Sequence, residues 1–251
     1  KKNNIYIYFK KKINHNSNIR YSYYRFGKIK SKTEYKNDQI HGTKQRYYPN
    51  GRLILVVQYE NGLKNGEYIK FFESGTVKIK GKYKNGKLEG ILTHYSSKGF
   101  FLSKTTYKQG VKEGVERIYR DSGSVRSEVL YQNGLKNGLV KHYTLSGDIK
   151  CEIPYKKGII DGILKFYLKP GGIKMETPYI KGKIEGWRVY YYFSGEIWKK
   201  QNYKNNLKNG SLEHFSRTGN LIMSTSYIDG VESGVRKYFY GSGKIMSITP
   251  Y

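Results

Sequence analysis

The chain is 251 residues long and 37% hydrophobic, with 27 Tyr against three Met and two Trp, and it carries a formal net charge of +28. That composition excludes a large oily core, and the longest purely apolar run, Leu53 to Val57, is far short of the ~20 residues a membrane-spanning helix needs. A single cysteine, Cys151, excludes an intramolecular disulfide and a disulfide-stapled scaffold.

Residues 1–34 are the densest charge in the chain, with ten basic residues and one acidic one: Lys1, Lys2, Lys10, Lys11, Lys12, Arg20, Arg25, Lys28, Lys30 and Lys32 against Glu34. A stretch this basic is drawn to acidic phospholipid or nucleic acid, and these ten are the candidate anion-binding residues. The basicity is mostly Lys, however, and Lys lacks the planar fork with which Arg reads phosphate and base edges. Ile5-Tyr6-Ile7-Tyr8-Phe9 reads as a strand. Tyr23, Gly27 and Ile29 form half of the pattern that follows and make 1–34 a degenerate half-repeat suited to cap an open sheet edge. The first residue is Lys1 rather than Met, which leaves an upstream segment and secretion open beside a cytoplasmic or membrane-peripheral location.

From Tyr35 to Pro250 the chain divides into nine blocks of 24 residues without insertion or deletion, and Tyr251 opens a tenth. Counting columns from 0 at each block's first Tyr, column 0 is always Tyr, columns 7 and 16 are always Gly, column 12 is always aromatic and column 18 always apolar. The second block shows this as Tyr59, Gly66, Phe71, Gly75 and Val77; the fifth as Tyr131, Gly138, Tyr143, Gly147 and Ile149. Column 3 is Gly in seven blocks, and Asp38 and Asn206 replace it in two, the residue types that best tolerate a left-handed backbone.

A Gly every eight or nine residues opposes helix, so each block reads as a β-hairpin. Triplets ending at column 16, such as Pro49-Asn50-Gly51 and Asp121-Ser122-Gly123, fit a type I turn closed by a left-handed Gly bulge. This places column 12 opposite column 18. Strict alternation then puts columns 18, 20, 22 and the next Tyr on the face of that pair, and columns 1–7 read as the longer link to the next hairpin. The predicted fold is all-β: an elongated single-sheet array of antiparallel hairpins, a twisted rod whose stability is a sum over neighbouring repeats.

Candidate chemistry is thin. His94, His142 and His214 share column 11 but lie in different blocks, too far apart for one metal ion; Cys151, in column 20 with no His at a matching position, reads as packing. Neither cofactor nor metal is expected. Lys residues of columns 1–5, among them Lys64, Lys84, Lys112, Lys136, Lys183 and Lys208, would line one edge, tempered by acids such as Glu89, Glu113 and Glu185. Arg126/Glu128, Lys150/Glu152 and Lys174/Glu176 in columns 19 and 21 read as a charge ladder on an outer face. The seventh block departs from the pattern with Trp187, Tyr190, Tyr192 and Trp198, the candidate partner-binding patch.

The unit Tyr-x-Asn-Gly-x-x-x-Gly-x-x-x-x-Tyr-x-x-x-Gly-x-Leu, present as Tyr59 to Val77 with Phe71 for the second Tyr, resembles the MORN repeat, and the 24-residue spacing is similar to its bacterial variant form. The resemblance implies a non-catalytic hairpin array that serves as a scaffold or structural protein contacting another protein, with self-association through end or edge strands. It also implies acidic-phospholipid binding or an antitoxin or immunity protein that neutralises a toxin; the charge reading makes the former alternative a peripheral binder of acidic phospholipid or nucleic acid acting through the basic N-terminus and the Lys-lined edge.

Overall fold

The computed structural model describes residues 11–14, 17–169 and 171–251, so the strand expected at Ile5–Phe9 lies outside the described residues. Every regular element among them is a β-strand. The chain divides into two units, residues 1–124 and 125–251. Within each, strands pair antiparallel with their sequence neighbours, from Lys11–Asn14 through Val111–Tyr119 in the first and from Val125–Gln132 through Ile245–Pro250 in the second.

The hairpin loops form as the triplets predict. In the first block the Tyr48 amide donates to the Arg52 carbonyl at 2.8 Å and the Gly51 amide to the Tyr48 carbonyl at 2.9 Å, with Gly51 at φ +87°. Column 12 lies opposite column 18 within each unit: Tyr47 faces Leu53, Phe71 faces Val77, Tyr95 faces Phe101 and Tyr191 faces Ile197. Tyr23 faces Ile29 in the same way.

The other connection is much shorter than a seven-residue link. Columns 2 and 3 alone make the turn, as in Asn85 at φ +49° and Gly86 at φ +79°, the two positive φ values of a type I′ turn. Pairing resumes at once, Lys84 with Lys87 and Tyr83 with Leu88. What the sequence presents as loop is a bulge: in the second block Val57 pairs with Tyr68 and Tyr59 with Lys64, so Asn65, Gly66 and Glu67 stand against Gln58 alone.

A second bulge corrects the assignment of faces. Tyr47 pairs with Leu53 but Arg46 with Leu55, so Ile54 is an extra residue, and the shift recurs at each such hairpin. One extra residue reverses the alternation. The column 12 and 18 pair therefore sits on the side opposite the column 0 tyrosines, with column 21; columns 0, 9, 20 and 22 occupy the other side. We call the latter the tyrosine face and the former the hairpin-pair face.

Burial follows columns 9, 20 and 22 of the tyrosine face, and Thr93 of column 10 is buried on the hairpin-pair face. Column 22 supplies Thr33, Val57, Thr105, Val129, Thr177, Gln201 and Thr225, column 9 Val140, Leu164 and Leu212, and column 20 Ser127 and Cys151. Half of this line is polar: the Thr105 hydroxyl donates to Glu116 at 2.8 Å, the Arg188 Nε donates to Thr177 Oγ1 at 3.1 Å, and Gln201 bonds through Nε2 while its buried Oε1 has no partner among the described residues. Neighbouring blocks are stitched at the type I′ turns. The column 3 amide donates to the column 5 carbonyl one block earlier, Gly86 to Lys64 and Gly182 to Ile160, both at 2.8 Å. Column 6 side chains accept from the column 2 amide one block on, Glu89 from Gln109 and Glu185 from Asn205, both at 2.8 Å.

Gly138 tests the bulge geometry. It runs at φ +108°, and a Cβ there would meet Leu130 Cδ2 at 3.0 Å. Gly138→Val is expected to cost roughly 1–3 kcal/mol in chemical unfolding and to raise hydrogen exchange in the adjoining hairpins of the second unit first. A loss within about 0.5 kcal/mol, the usual surface scatter, contradicts the assignment.

Candidate functional site

The tyrosine face uses much of the positive charge internally. The Arg20 guanidinium lies 4.1 Å from the Tyr35 ring centre, Lys64 4.7 Å from Tyr83, Lys136 4.8 Å from Tyr155, Arg188 4.8 Å from Tyr203, Lys208 4.6 Å from Tyr227 and Arg236 4.8 Å from Tyr251. Each cation comes from column 5 or 9 and covers the Tyr that opens the next block, a repeated cation–π contact. The Lys-lined edge is therefore divided: Lys64, Lys136 and Lys208 lie against rings and Lys112 pairs with Glu116 at 2.8 Å, while Lys84, Lys156 and Lys204 stay at the turns. In the last block the Thr225 hydroxyl donates to Glu232 at 2.6 Å and Arg236 donates to it through Nε and Nη2; these bonds hold its carboxyl below the usual range.

Among the N-terminal candidates, Lys1, Lys2 and Lys10 lie outside the described residues, as do the side chains of Lys11 and Lys12. Arg20 is consumed by Tyr35 and by an ion pair with Asp38. Lys30 lies 5.7 Å from the Tyr24 ring centre, Lys32 is half-buried on its strand, and Arg25 and Lys28 are exposed at a hairpin loop beside an exposed Phe26. Among the described side chains of this set, Arg20 is thus the one held by both a ring and a carboxylate, while Arg25 and Lys28 stand open at the loop.

Cys151 does have a matching histidine: His142 stands directly opposite it across the strand pair. The sequence hid this because the column 19 bulge changes the partner of column 20. The pair is not set up for nucleophilic chemistry. Burial pushes the Cys151 thiol up, and burial together with Arg126, Lys136 and Lys150 pushes the His142 imidazole down, so both stay neutral at pH 7. His94 and His214 are lowered by burial as well, and the Ser103 hydroxyl lies 3.2 Å from His94 Nδ1.

The four seventh-block aromatics do not form one patch. Tyr190 and Trp198 meet edge-on at 6.0 Å, Tyr192 lies 6.5 Å from Trp198, and His214 lies 6.2 Å from it on the other side. The Tyr192 hydroxyl donates to the Phe215 carbonyl at 2.8 Å, tying it to the next block. Trp187 projects from the opposite face, where the Lys200 ammonium lies 4.8 Å from its ring centre.

On that hairpin-pair face the second unit carries three parallel tracks. The first is column 12 and 18, where Tyr143, Tyr167 and Tyr191 alternate with Ile149, Ile173 and Ile197. The second is charged. Glu152 pairs with Lys141 at 3.6 Å and Glu176 with Lys165 at 3.0 Å, across strands. Tyr167 and Tyr191 donate to these carboxylates at 2.7 and 2.8 Å, and Tyr143 donates to Glu128 at 2.8 Å. The charge ladder expected between Lys150/Glu152 and Lys174/Glu176 is corrected: column 19 belongs to the bulge, and the acids turn to cross-strand lysines and phenols. The third track, missed in the sequence, is apolar. Leu130, Leu139, Pro154, Ile163, Pro178 and Trp187 come from six successive strands, with Leu139 opposite Pro154 and Ile163 opposite Pro178. Leu130, Leu139 and Ile163 are 41%, 44% and 49% exposed, and Trp187 36%. At roughly 4.8 Å per strand the ridge runs about 24 Å. Its sequence signal is apolar column 8 in five consecutive blocks, Ile91, Val115, Leu139, Ile163 and Trp187, the last three beside Leu or Pro in column 23.

Fold and surface together define a protein built of antiparallel hairpin repeats that present broad side-chain tracks. The MORN repeat variant family matches residues 18–37, 40–61, 64–85, 112–133, 136–157, 185–205 and 232–251. The chain belongs to that family, a repeat type that is generally non-enzymatic and often engaged in binding. No curated protein matches it. Among solved structures it is similar to a chain of the Photorhabdus luminescens Tc holotoxin pore, at 10% identity and a TM-score of 0.16, over 93% of this chain and 17% of that one.

The half-buried phenols give a pH signature. Burial, reinforced by the bonds to Glu152 and Glu176, pushes Tyr167 and Tyr191 up to about 12 from 10.0. Since the folded value exceeds the unfolded one, their stabilisation is complete below about pH 10 and is lost as pH rises towards 12. Tyrosinate absorbance should show late-titrating phenols in the native protein, Tyr167 and Tyr191 among them; Glu152→Gln should bring Tyr167 back towards 10.

Proposed function

We propose that the protein is a non-catalytic scaffold that holds another protein on the hairpin-pair face of residues 125–251. The supporting observation is the apolar ridge from Leu130 to Trp187, half-exposed side chains that recur on six successive strands, with Leu139 opposite Pro154 and Ile163 opposite Pro178. Isolated exposed apolar residues need no explanation, but a contiguous row of them does. Charge specifies the occupant. Glu152 and Glu176 beside the ridge are already held by Lys141, Lys165 and two phenols. On its turn side, Lys156, Lys157, Lys181 and Lys204 project from exposed positions. The complementary partner is a protein surface with an apolar centre and an acidic border.

Affinity capture from the native source with the full chain tests this against an electrostatic interaction. The wild type should retain a stoichiometric partner from about 50 to 200 mM salt, and the ridge variant Ile163→Glu/Trp187→Ser should lose it while its circular dichroism and unfolding midpoint persist. Retention by the folded ridge variant would falsify the assignment, as would loss of the partner from the wild type with salt alone.

A further inference from the structure

A cleft of about 490 Å³ opens on the hairpin-pair face of the first unit, lined by Lys80, Lys82, Ile91, Thr93, Tyr95, Phe101 and Lys104, with Gly81, Glu89 and Gly90 completing its wall. Its floor is a cross-strand row. Thr93 pairs with Lys80 on one strand and with Lys104 on the other, so two lysines flank one buried threonine. Tyr95 and Phe101, in contact at 5.4 Å, form an aromatic end wall, and the Lys104 ammonium lies 3.7 Å from the Phe101 ring centre.

The second unit provides an internal comparison. In the same columns it alternates signs, Glu128, Lys141, Glu152, Lys165 and Glu176, and ion pairs tie Lys141 to Glu152 and Lys165 to Glu176. Here the two acid positions hold Lys80 and Lys104, and the lysine position between them holds Thr93. No carboxylate among the described residues forms an ion pair with Lys80, Lys82 or Lys104. The one acid in the lining, Glu89, already accepts the Gln109 amide. Like charges brought together on a repeat that elsewhere neutralises them, over a hydroxyl and beside aromatic rings, are suited to an anion with a flat apolar body.

We propose that this cleft binds a small organic anion of the aryl phosphate or aryl carboxylate class. The anionic group sits over Thr93 between Lys80 and Lys104, with Lys82 at the margin, and the ring lies against Tyr95 and Phe101. This site is separate from the ridge of the second unit, and neither proposal depends on the other.

Titration of the full chain with phenyl phosphate and with inorganic phosphate, at about 50 mM salt, tests it. Phenyl phosphate should saturate one site and bind about tenfold or more tighter than inorganic phosphate. Lys80→Glu, which places here the acid that the second unit carries, should weaken it by about tenfold or more. Lys204→Glu, an equal charge change at an exposed turn, should leave it unaltered. Where Lys80→Glu lowers the unfolding midpoint, Lys104→Gln is read in its place. Absence of saturable binding, equal affinity for inorganic phosphate, or equal weakening by Lys204→Glu each overturns the proposal.

Discussion

Backbone held at positive φ at fixed points in every block is the constraint on which the rest of this structure depends. Asn85 and Gly86 close a two-residue turn, Gly90 opens a bulge and Gly99 ends a hairpin loop, each in a conformation that few side chains accept. These points fix strand register, and register decides which residues are buried, because a slip by one residue exchanges the two faces. With register set by backbone geometry, the buried line can be thin and partly polar. Thr105, Thr177 and Thr225 take positions where a sandwich or barrel would need larger apolar groups, and each is bonded to a charged side chain of the following strand.

Because the buried line is only one side chain deep, much of the order comes from bonds between adjacent blocks. The turn amide of one block reaches the carbonyl of the previous one, a column 6 side chain reaches forward to the next turn, and phenols such as Tyr48 donate to a carbonyl of the next block. Stability assembled this way is a nearest-neighbour sum. The same economy accounts for the charge. A net +28 suggests a polyanion partner, yet Arg20, Lys64, Lys136, Arg188 and Lys208 each cover a tyrosine ring within their unit. A cation on a ring is partly desolvated and positioned, so formal charge overstates what these residues present to a polyanion.

The parts legible in the sequence are those set by local backbone preference. Gly51 and its equivalents ended the hairpin loops where the triplets placed them, and Tyr47 met Leu53 as the loop length requires. The illegible parts depend on a single extra residue. Ile54 and the other column 19 residues leave no compositional mark, since a bulge residue here is Ile, Leu, Met, Lys, Arg or Trp in different blocks. Missing it put Tyr47 and Tyr59 on one face, left Cys151 without His142, and joined Trp187 to Trp198 although they project from opposite sides. The type I′ turn was half legible: the column 3 Gly marked a left-handed position, but Lys157 and Lys181, at φ +50° and +49°, occupy column 2 without advertising it.

A backbone whose geometry is carried by glycine, asparagine and a few aromatic columns frees the remaining positions to vary without refolding. The hairpin-pair face shows the consequence. At three equivalent positions the chain places glutamate, lysine and glutamate in one unit and lysine, threonine and lysine in the other, on strands paired in the same register. Neighbouring column 8 holds Ile91 over the cleft and Leu139, Ile163 and Trp187 along the ridge. The fold therefore sets where side chains stand and how far apart, while substitutions that leave the turns intact decide whether a given row closes on itself through ion pairs or remains open to a ligand. Specificity in such a protein resides in departures from the repeat, and a departure is informative when the equivalent row elsewhere in the same chain shows what the undisturbed arrangement would have been.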